Sequence, residues 1–440
     1  MKILFFTRMP YLGSEASKAI GGGWVNELLT AFKNYAPQHK LGYSYVTSQM
    51  ETCREEDDIS LYPLYDKALN RLQRLYHNWL GYSLKKELPY LDQMQETIRK
   101  FNPDIIYIFG IETDLPEIIP LTQVPCTVHI QGILAPCLNA YFPPSINLHS
   151  IFRYNCNVGE YIFNNQFRLA YKGFIAHTKK EQILCKKLTY IMGRTEWDKL
   201  VFRILAPQAK YYQAGELLRS TFYQSAKWTY EEKNKIILTS TISPVMYKGL
   251  DLIFKTAKLL KQNLENKFEW RIIGISPKSY YVNFIEKIMK TKSRDINIYY
   301  KGSQKADEVI KHLLSSNFYI HPSYIDNSPN SLCEAQILGV PCIACYCGGI
   351  SSLISHQING LVVPANDPYE LAALISFYSK DIFFLQSISQ KAIQTAEVRH
   401  NPKRVIEEIT DSLQAIIKDA KSNETIIRQQ STDNYHHTNL

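Results

Sequence analysis

The chain has 440 residues, of which 45% are hydrophobic and 21% charged. That composition excludes a disordered or fibrous chain, and the length suits two ordinary domains with separate cores. A net charge of +9 is compatible with simple solubility and equally with a negatively charged partner, such as a phosphorylated ligand or an anionic membrane surface.

The basic residues are scattered and no nucleic-acid module is present, which argues against nucleic acid as the partner. Nine cysteines, an odd number with irregular spacing, read as small buried hydrophobes in a reducing compartment. Cys342, Cys345 and Cys347 form C-x-x-C and C-x-C, but no second pair with zinc spacing accompanies them. The apolar run Ile3 to Phe6 is too short for a signal sequence, and no apolar window reaches the length of a spanning helix. A cytoplasmic protein, in contact with the inner face of a membrane, is expected.

In chain order, KILFFT (2–7) predicts a buried strand and WVNELLTAFKNY (24–35) a helix with apolar residues at helical spacing. YSYVTS (43–48) predicts a second strand, and the charged and aromatic stretch 51–100 is expected to be helical after 66. PDIIYIFG (103–110), PCTVHIQG (125–132) and KGFIAHT (172–178) read as three more strands. A second series starts with NKIILTST (234–241) and a helix over YKGLDLIFKTAKLLKQN (247–263). Strands are then expected in 268–276, 296–302, 317–323, 340–346 and 359–367, with helices between them. Strand–helix alternation of this kind builds parallel sheets. The fold class is therefore α/β, with two doubly wound Rossmann-like domains facing an interdomain cleft. The expected boundaries are 1–215 for the first domain and 216–382 for the second. Helices over 383–421 would return to the first domain, and 422–440 would form a flexible tail.

Five constellations bear on chemistry. The loop DNSPNSLCEA places Asp326 and Glu334 with seven residues between them, after a strand end that should face the cleft. Carboxylates there suit sugar or ribose hydroxyls, since each accepts two hydrogen bonds. Ser331 and Glu334 equally form S-x-x-E, the capping box of a helix 332–338, which needs no ligand at all. In CGGISSLI, Gly348 and Gly349 precede a helix expected from Ser351; free N–H groups there bind phosphate, or the glycines simply serve a tight turn. Lys248, between a strand and a helix, can pair with a diphosphate or sit on the surface. AIGGGWVNE (19–27) lacks the final glycine of the dinucleotide fingerprint and lies far from its strand, which argues against a nicotinamide enzyme. His129 near a strand end is either a proton carrier or a structural residue. The P-loop, H-E-x-x-H, G-x-S-x-G and D-x-D motifs are missing.

The run from Asp326-x7-Glu334 through AQILGVPCIA, Gly-Gly and NGLVVP, with YKGLD upstream, resembles the donor half of glycosyltransferase family 4, whose fold is GT-B. The resemblance implies retaining transfer of a sugar from a nucleotide-diphosphate donor to a hydroxyl of a glycan or lipid-linked acceptor, in cell-envelope or exopolysaccharide synthesis. It implies that Glu334 binds the nucleotide ribose, that Asp326 contacts the sugar and that Lys248 holds the diphosphate. Gly348, Gly349, Gly22 and Gly23 would support the phosphates, beside Asn330 and Ser331 on the donor, with His129 on the acceptor side. No cofactor and no metal is implied. The family's arginine five residues before the lysine is Ser243 here, so Arg219 and Arg194 are candidates to replace it. A non-catalytic sugar-nucleotide-binding protein and a sugar-nucleotide epimerase are the alternatives.

Overall fold

The computed structural model describes residues 1–13, 23–66, 90–144, 146–154, 166–264 and 267–437. The first sheet comprises β1 (Lys2–Thr7), β2 (Lys40–Thr47), β3 (Arg54–Glu56), β4 (Ile59–Tyr65), β5 (Ile105–Phe109), β6 (Cys126–His129), β7 (Tyr190–Gly193) and β8 (Lys210–Gln213). Its order is β3-β4-β2-β1-β5-β6-β7-β8, and only the β3–β4 pair is antiparallel. The second sheet comprises β9 (Ile236–Thr241), β10 (Phe268–Ile273), β11 (Ile298–Gly302), β12 (Phe318–His321), β13 (Cys342–Tyr346) and β14 (Leu361–Pro364). It is wholly parallel, in the order β11-β10-β9-β12-β13-β14. Central strands such as β5 are buried at every position, because helices cover both faces of a parallel sheet. Both sheets reverse strand order beside their first strand, and ligands lodge at the carboxyl ends of strands at such points.

The helix Gly23–Tyr35 buries Trp24, Val25, Leu28, Leu29 and Phe32, the stripe that its apolar spacing predicts. The segment KGFIAHT, expected as a strand, lies instead inside the helix Gln166–Cys185. Its buried positions Phe167, Thr178, Glu181 and Cys185 recur at helical spacing, which a seven-residue window is too short to display. β3, β4, β7 and β8 lie in stretches where no strand was expected. Residues 67–89, most of the helical stretch expected after 66, lie outside the described residues.

The two C-terminal helices part company. Ile382–Arg399 packs on Asn330–Leu338 and Pro368–Tyr378, so it stays with the second sheet, contrary to expectation. Its buried Leu385, Ile388, Ala392 and Ala396 belong there. Pro402–His437 packs on Gly23–Tyr35 and β8 of the first lobe, through Val405, Ile406, Ile409 and Leu413. Its backbone is helical through His437, where a frayed tail was expected from residue 422. Among the described residues no single helix is long and apolar enough to cross a membrane.

Contacts between the lobes include an aromatic cluster and a polar clasp. Phe167 of the first lobe packs with tilted rings between Tyr280 and Phe284 of the second, with ring centroids 4.9 and 4.7 Å away. On the far side, Thr195 caps the helix Glu196–Leu205 in a capping box with Asp198, and both residues reach across the interface. Thr195 Oγ1 donates to Asn327 Oδ1 at 2.7 Å, and Asn327 Nδ2 donates to Asp198 Oδ2 at 2.9 Å. The loop that carries Asp326 is thus clasped by the first lobe.

Candidate active site

A cleft of ≈ 560 Å³ lies between the lobes, lined by Gly23 and Trp24 from the first and by Ser243, Lys248, Asp326, Asn330, Ser331 and Glu334 from the second, with Arg219 from the connecting segment. Most of the second-lobe residues sit at the carboxyl ends of β9, β10 and β12 or just beyond them, as the parallel topology dictates.

Lys248 ends a short 3₁₀ turn, and Gly249 follows at φ +78°. A Cβ at Gly249 would lie 2.0 Å from the Pro322 carbonyl oxygen, so only glycine lets the lysine turn pack against the strand end. Lys248 Nζ donates to Asp326 Oδ2 at 2.6 Å, and His321 Nε2 lies 3.1 Å from the same oxygen. Burial pushes the Asp326 carboxyl up, but Lys248 and His321 outweigh burial and hold it well below the usual carboxylate range. Asp326 is therefore a charged, oriented carboxylate at the cleft. His321 closes β12 within the apolar run NFYIHPS, where a histidine next to a proline gave no functional signal.

Glu334 lies in the helix Asn330–Leu338, whose N-cap is Pro329 with no side-chain capping bond. The capping box expected of Ser331 and Glu334 does not form. Ser331 Oγ instead accepts from Tyr319 at 2.8 Å. Glu334 takes a two-pronged contact from Arg219, Nε to Oε1 at 2.7 Å and Nη2 to Oε2 at 2.8 Å. Burial raises the Glu334 carboxyl while Arg219 pulls it back. Of the two arginines considered for the place of Ser243, Arg219 lines the cleft, whereas Arg194 is an ion-pair partner of Glu216 in a separate cavity.

Other expected positions fall elsewhere. Gly22 lies outside the described residues, and Gly23 opens its helix at the cleft wall. Gly348 and Gly349 begin a 3₁₀ turn, not an α-helix, and they pack under the Asp326 loop away from the cleft lining. The Gly349 N–H donates to the Asp326 carbonyl at 3.0 Å. A Cβ would come 1.9 Å from the Asp326 carbonyl oxygen at Gly348 and 2.1 Å from that of Asn327 at Gly349. Their smallness lets β13's end seat the Asp326 loop. Gly348→Ala, at φ +50°, is expected to displace that loop and lower turnover by about tenfold or more. Steady-state kinetics beside a thermal melt checks this, and unchanged turnover would contradict it.

His129 is fully buried in β6, 2.5 Å from the Tyr107 hydroxyl through Nδ1, and rings of Trp24 and Phe109 pack on it. Burial, with Arg194 nearby, holds it well below its ordinary value, so it is a neutral core residue away from the cleft lining. Glu112, in the turn after β5, had no sequence signal. Burial pushes its carboxyl up to about 7 against backbone N–H groups of its own residue and Gly132. Among the described residues no cluster of three or more His, Cys, Asp or Glu side chains could hold a metal ion.

Comparison with known proteins places this geometry. Residues 222–395 match the family described as glycosyl transferases group 1. The amylovoran biosynthesis glycosyltransferase AmsK of Erwinia amylovora is 25% identical over 179 residues, 38% of this chain. That match spans only 42% of the relative's length. Among solved structures, sucrose-phosphate synthase from Thermosynechococcus elongatus superposes with a TM-score of 0.67 at 11% identity, covering 95% of this chain and 99% of that one. HepE from Anabaena, in complex with UDP and glucose, superposes with a TM-score of 0.59 at 15% identity, covering 94% and 99%. The chain is thus built on the GT-B fold, with a second lobe that matches the group 1 glycosyl transferases from residue 222 to residue 395.

Proposed function

We propose that the chain is a retaining, metal-independent glycosyltransferase that moves a hexose from a nucleotide-diphosphate sugar to an acceptor hydroxyl in exopolysaccharide or cell-envelope synthesis. One observation carries the reading: Lys248, Asp326, Arg219 and Glu334 converge on a single cleft that Gly23 and Trp24 close from the other lobe. Cleaving the sugar–phosphate bond creates positive charge on the sugar and negative charge on the diphosphate. Asp326, kept ionised by its partners, sits where it can face the first. Lys248 has three N–H donors and spends one on Asp326, which leaves donors for a diphosphate oxygen. Glu334, oriented by Arg219, offers paired oxygens to a ribose diol. The departing phosphate oxygen takes the acceptor proton on the same face, so no protein base is required and configuration is retained. Asn330 and Ser331 supply further polar contacts to the donor. The similarity to an amylovoran biosynthesis enzyme supports a polysaccharide or lipid-linked glycan acceptor, and the net charge of +9 suits work at an anionic membrane surface on the cytoplasmic side.

The test is glycosyl transfer from a panel of UDP-, GDP- and ADP-sugars, UDP-glucose first because HepE holds it in a solved complex. Transfer with retained anomeric configuration is expected; donor binding without turnover on every acceptor would leave only a sugar-nucleotide-binding protein. With Lys248 and Arg219 supplying the cationic charge, millimolar EDTA should leave the rate unchanged. Loss of activity that Mg²⁺ or Mn²⁺ restores would refute the metal-independent part.

A further inference from the structure

A second cavity, of ≈ 580 Å³, lies behind the Asp326 loop. Ser328 faces it, while Asp326 and Pro329 on either side face the first cleft. Both lobes build it: Arg194 and Gln213 come from the first, Lys391 and Arg399 from the helix Ile382–Arg399, and Arg404 and Glu408 from the helix that crosses back.

Its charges do not balance. Four cations line it, Arg194, Lys391, Arg399 and Arg404, against the carboxylates of Glu216 and Glu408. Arg404 is matched by Glu408 at 2.8 Å. Glu216 is shared, taking an ion pair from Arg194 and a hydrogen bond from Ser328. The Arg194 side chain is only 6% exposed, and its Nε is buried with no hydrogen-bond partner among the described residues. Arg399 donates to the Ser352 carbonyl and has no acidic partner among the described residues. A buried guanidinium N–H left without an acceptor is costly, and an anion in the cavity would supply that acceptor and a counter-charge for Arg399. Planar, many-donor guanidiniums suit phosphate oxygens in particular.

We propose that this cavity is a second ligand site, for a phosphate- or diphosphate-bearing anion that bridges Arg194 of one lobe and Arg399 of the other. The site goes beyond the transfer reaction and does not rest on it. Because Ser328 is two residues from Asp326, an occupant braces the loop that the first cleft uses.

Inorganic pyrophosphate titrated calorimetrically into the full chain, at constant ionic strength, tests this. Two binding events are expected in the wild type. Lys248→Ala should remove the one in the first cleft and keep the other. Arg399→Gln should weaken the remaining event by about tenfold or more, and exposed Lys391→Ala, which leaves the fold untouched, by about threefold. A single event that Lys248→Ala abolishes would overturn the second site. So would a second event indifferent to both Arg399→Gln and Lys391→Ala. If the first cleft binds nothing, the second event still appears in every Lys248 background, so failure of the transfer reading is separable from failure of this one.

Discussion

Glu334→Gln is expected to lower stability and donor affinity together. The Glu334–Arg219 contact is two-pronged, and the side chains are only 7% and 11% exposed. Neutralising one partner leaves a guanidinium buried without its counter-charge, a loss of about 3 kcal/mol in such settings. Chemical denaturation should show that loss directly. The amide also offers one acceptor oxygen where the carboxylate offered two, so nucleotide-sugar affinity should fall by about tenfold to a hundredfold, read by calorimetry at a temperature where both proteins are folded. The double variant Glu334→Gln with Arg219→Gln should recover part of the stability, because the stranded charge goes with its partner, but none of the donor affinity. A variant with full affinity and a lowered melting temperature would reduce Glu334 to a structural residue. Ser331→Ala provides the contrast in stability: with no capping bond to lose, it should cost the fold only the hydrogen bond from Tyr319.

Lys248→Ala should be the more damaging change for catalysis. It removes a cation from the diphosphate side of the cleft and a counter-ion from Asp326 in one step. Loss of one preorganised charge of this kind lowers turnover by about a hundredfold to a thousandfold. The pH profile separates the two consequences. In the wild type, Asp326 is held well below the usual carboxylate range, mainly against burial, by Lys248 and His321. Its charge therefore persists as pH falls through that range, and so does the stability that its ion pair contributes. Without Lys248, burial dominates and the Asp326 carboxyl rises. The residual activity of Lys248→Ala should then decline as pH falls from neutral into the carboxylate range, while wild-type activity does not. Parallel profiles would show that Asp326 does not depend on Lys248 for its charge. Asp326→Asn is expected to reduce turnover far more than donor affinity.

The alternation of apolar runs with helical stretches was enough to indicate two doubly wound domains, since strands buried on both faces are apolar along their length, as β5 is and as β1 and β12 are apart from their end residues. Lys248, Asp326 and Glu334 were legible for a related reason: each follows a strand end on a loop or helix start, which in a parallel sheet is the ligand side. Short or amphipathic pieces were not legible. β7 and β8 have four residues each, and KGFIAHT looks alike as a strand or as two turns of helix until its neighbours show the period.

Pairing across long separations was decided only by the tertiary structure. S-x-x-E at Ser331 and Glu334 satisfies a local rule, yet Arg219, 115 residues away, takes the glutamate, because a charge-assisted contact in a buried place outweighs a solvent-side cap. The glycines at 348 and 349 have the composition of a phosphate turn, and the close approach of two loops, which their missing side chains permit, was visible only in the packed structure. His129 ended in a core because the strand that carries it is buried on both faces. Local spacing reports which backbone each residue prefers; which partner ends up beside it depends on how two sheets and a returning helix are brought together, and that information lies in the packing of the whole chain.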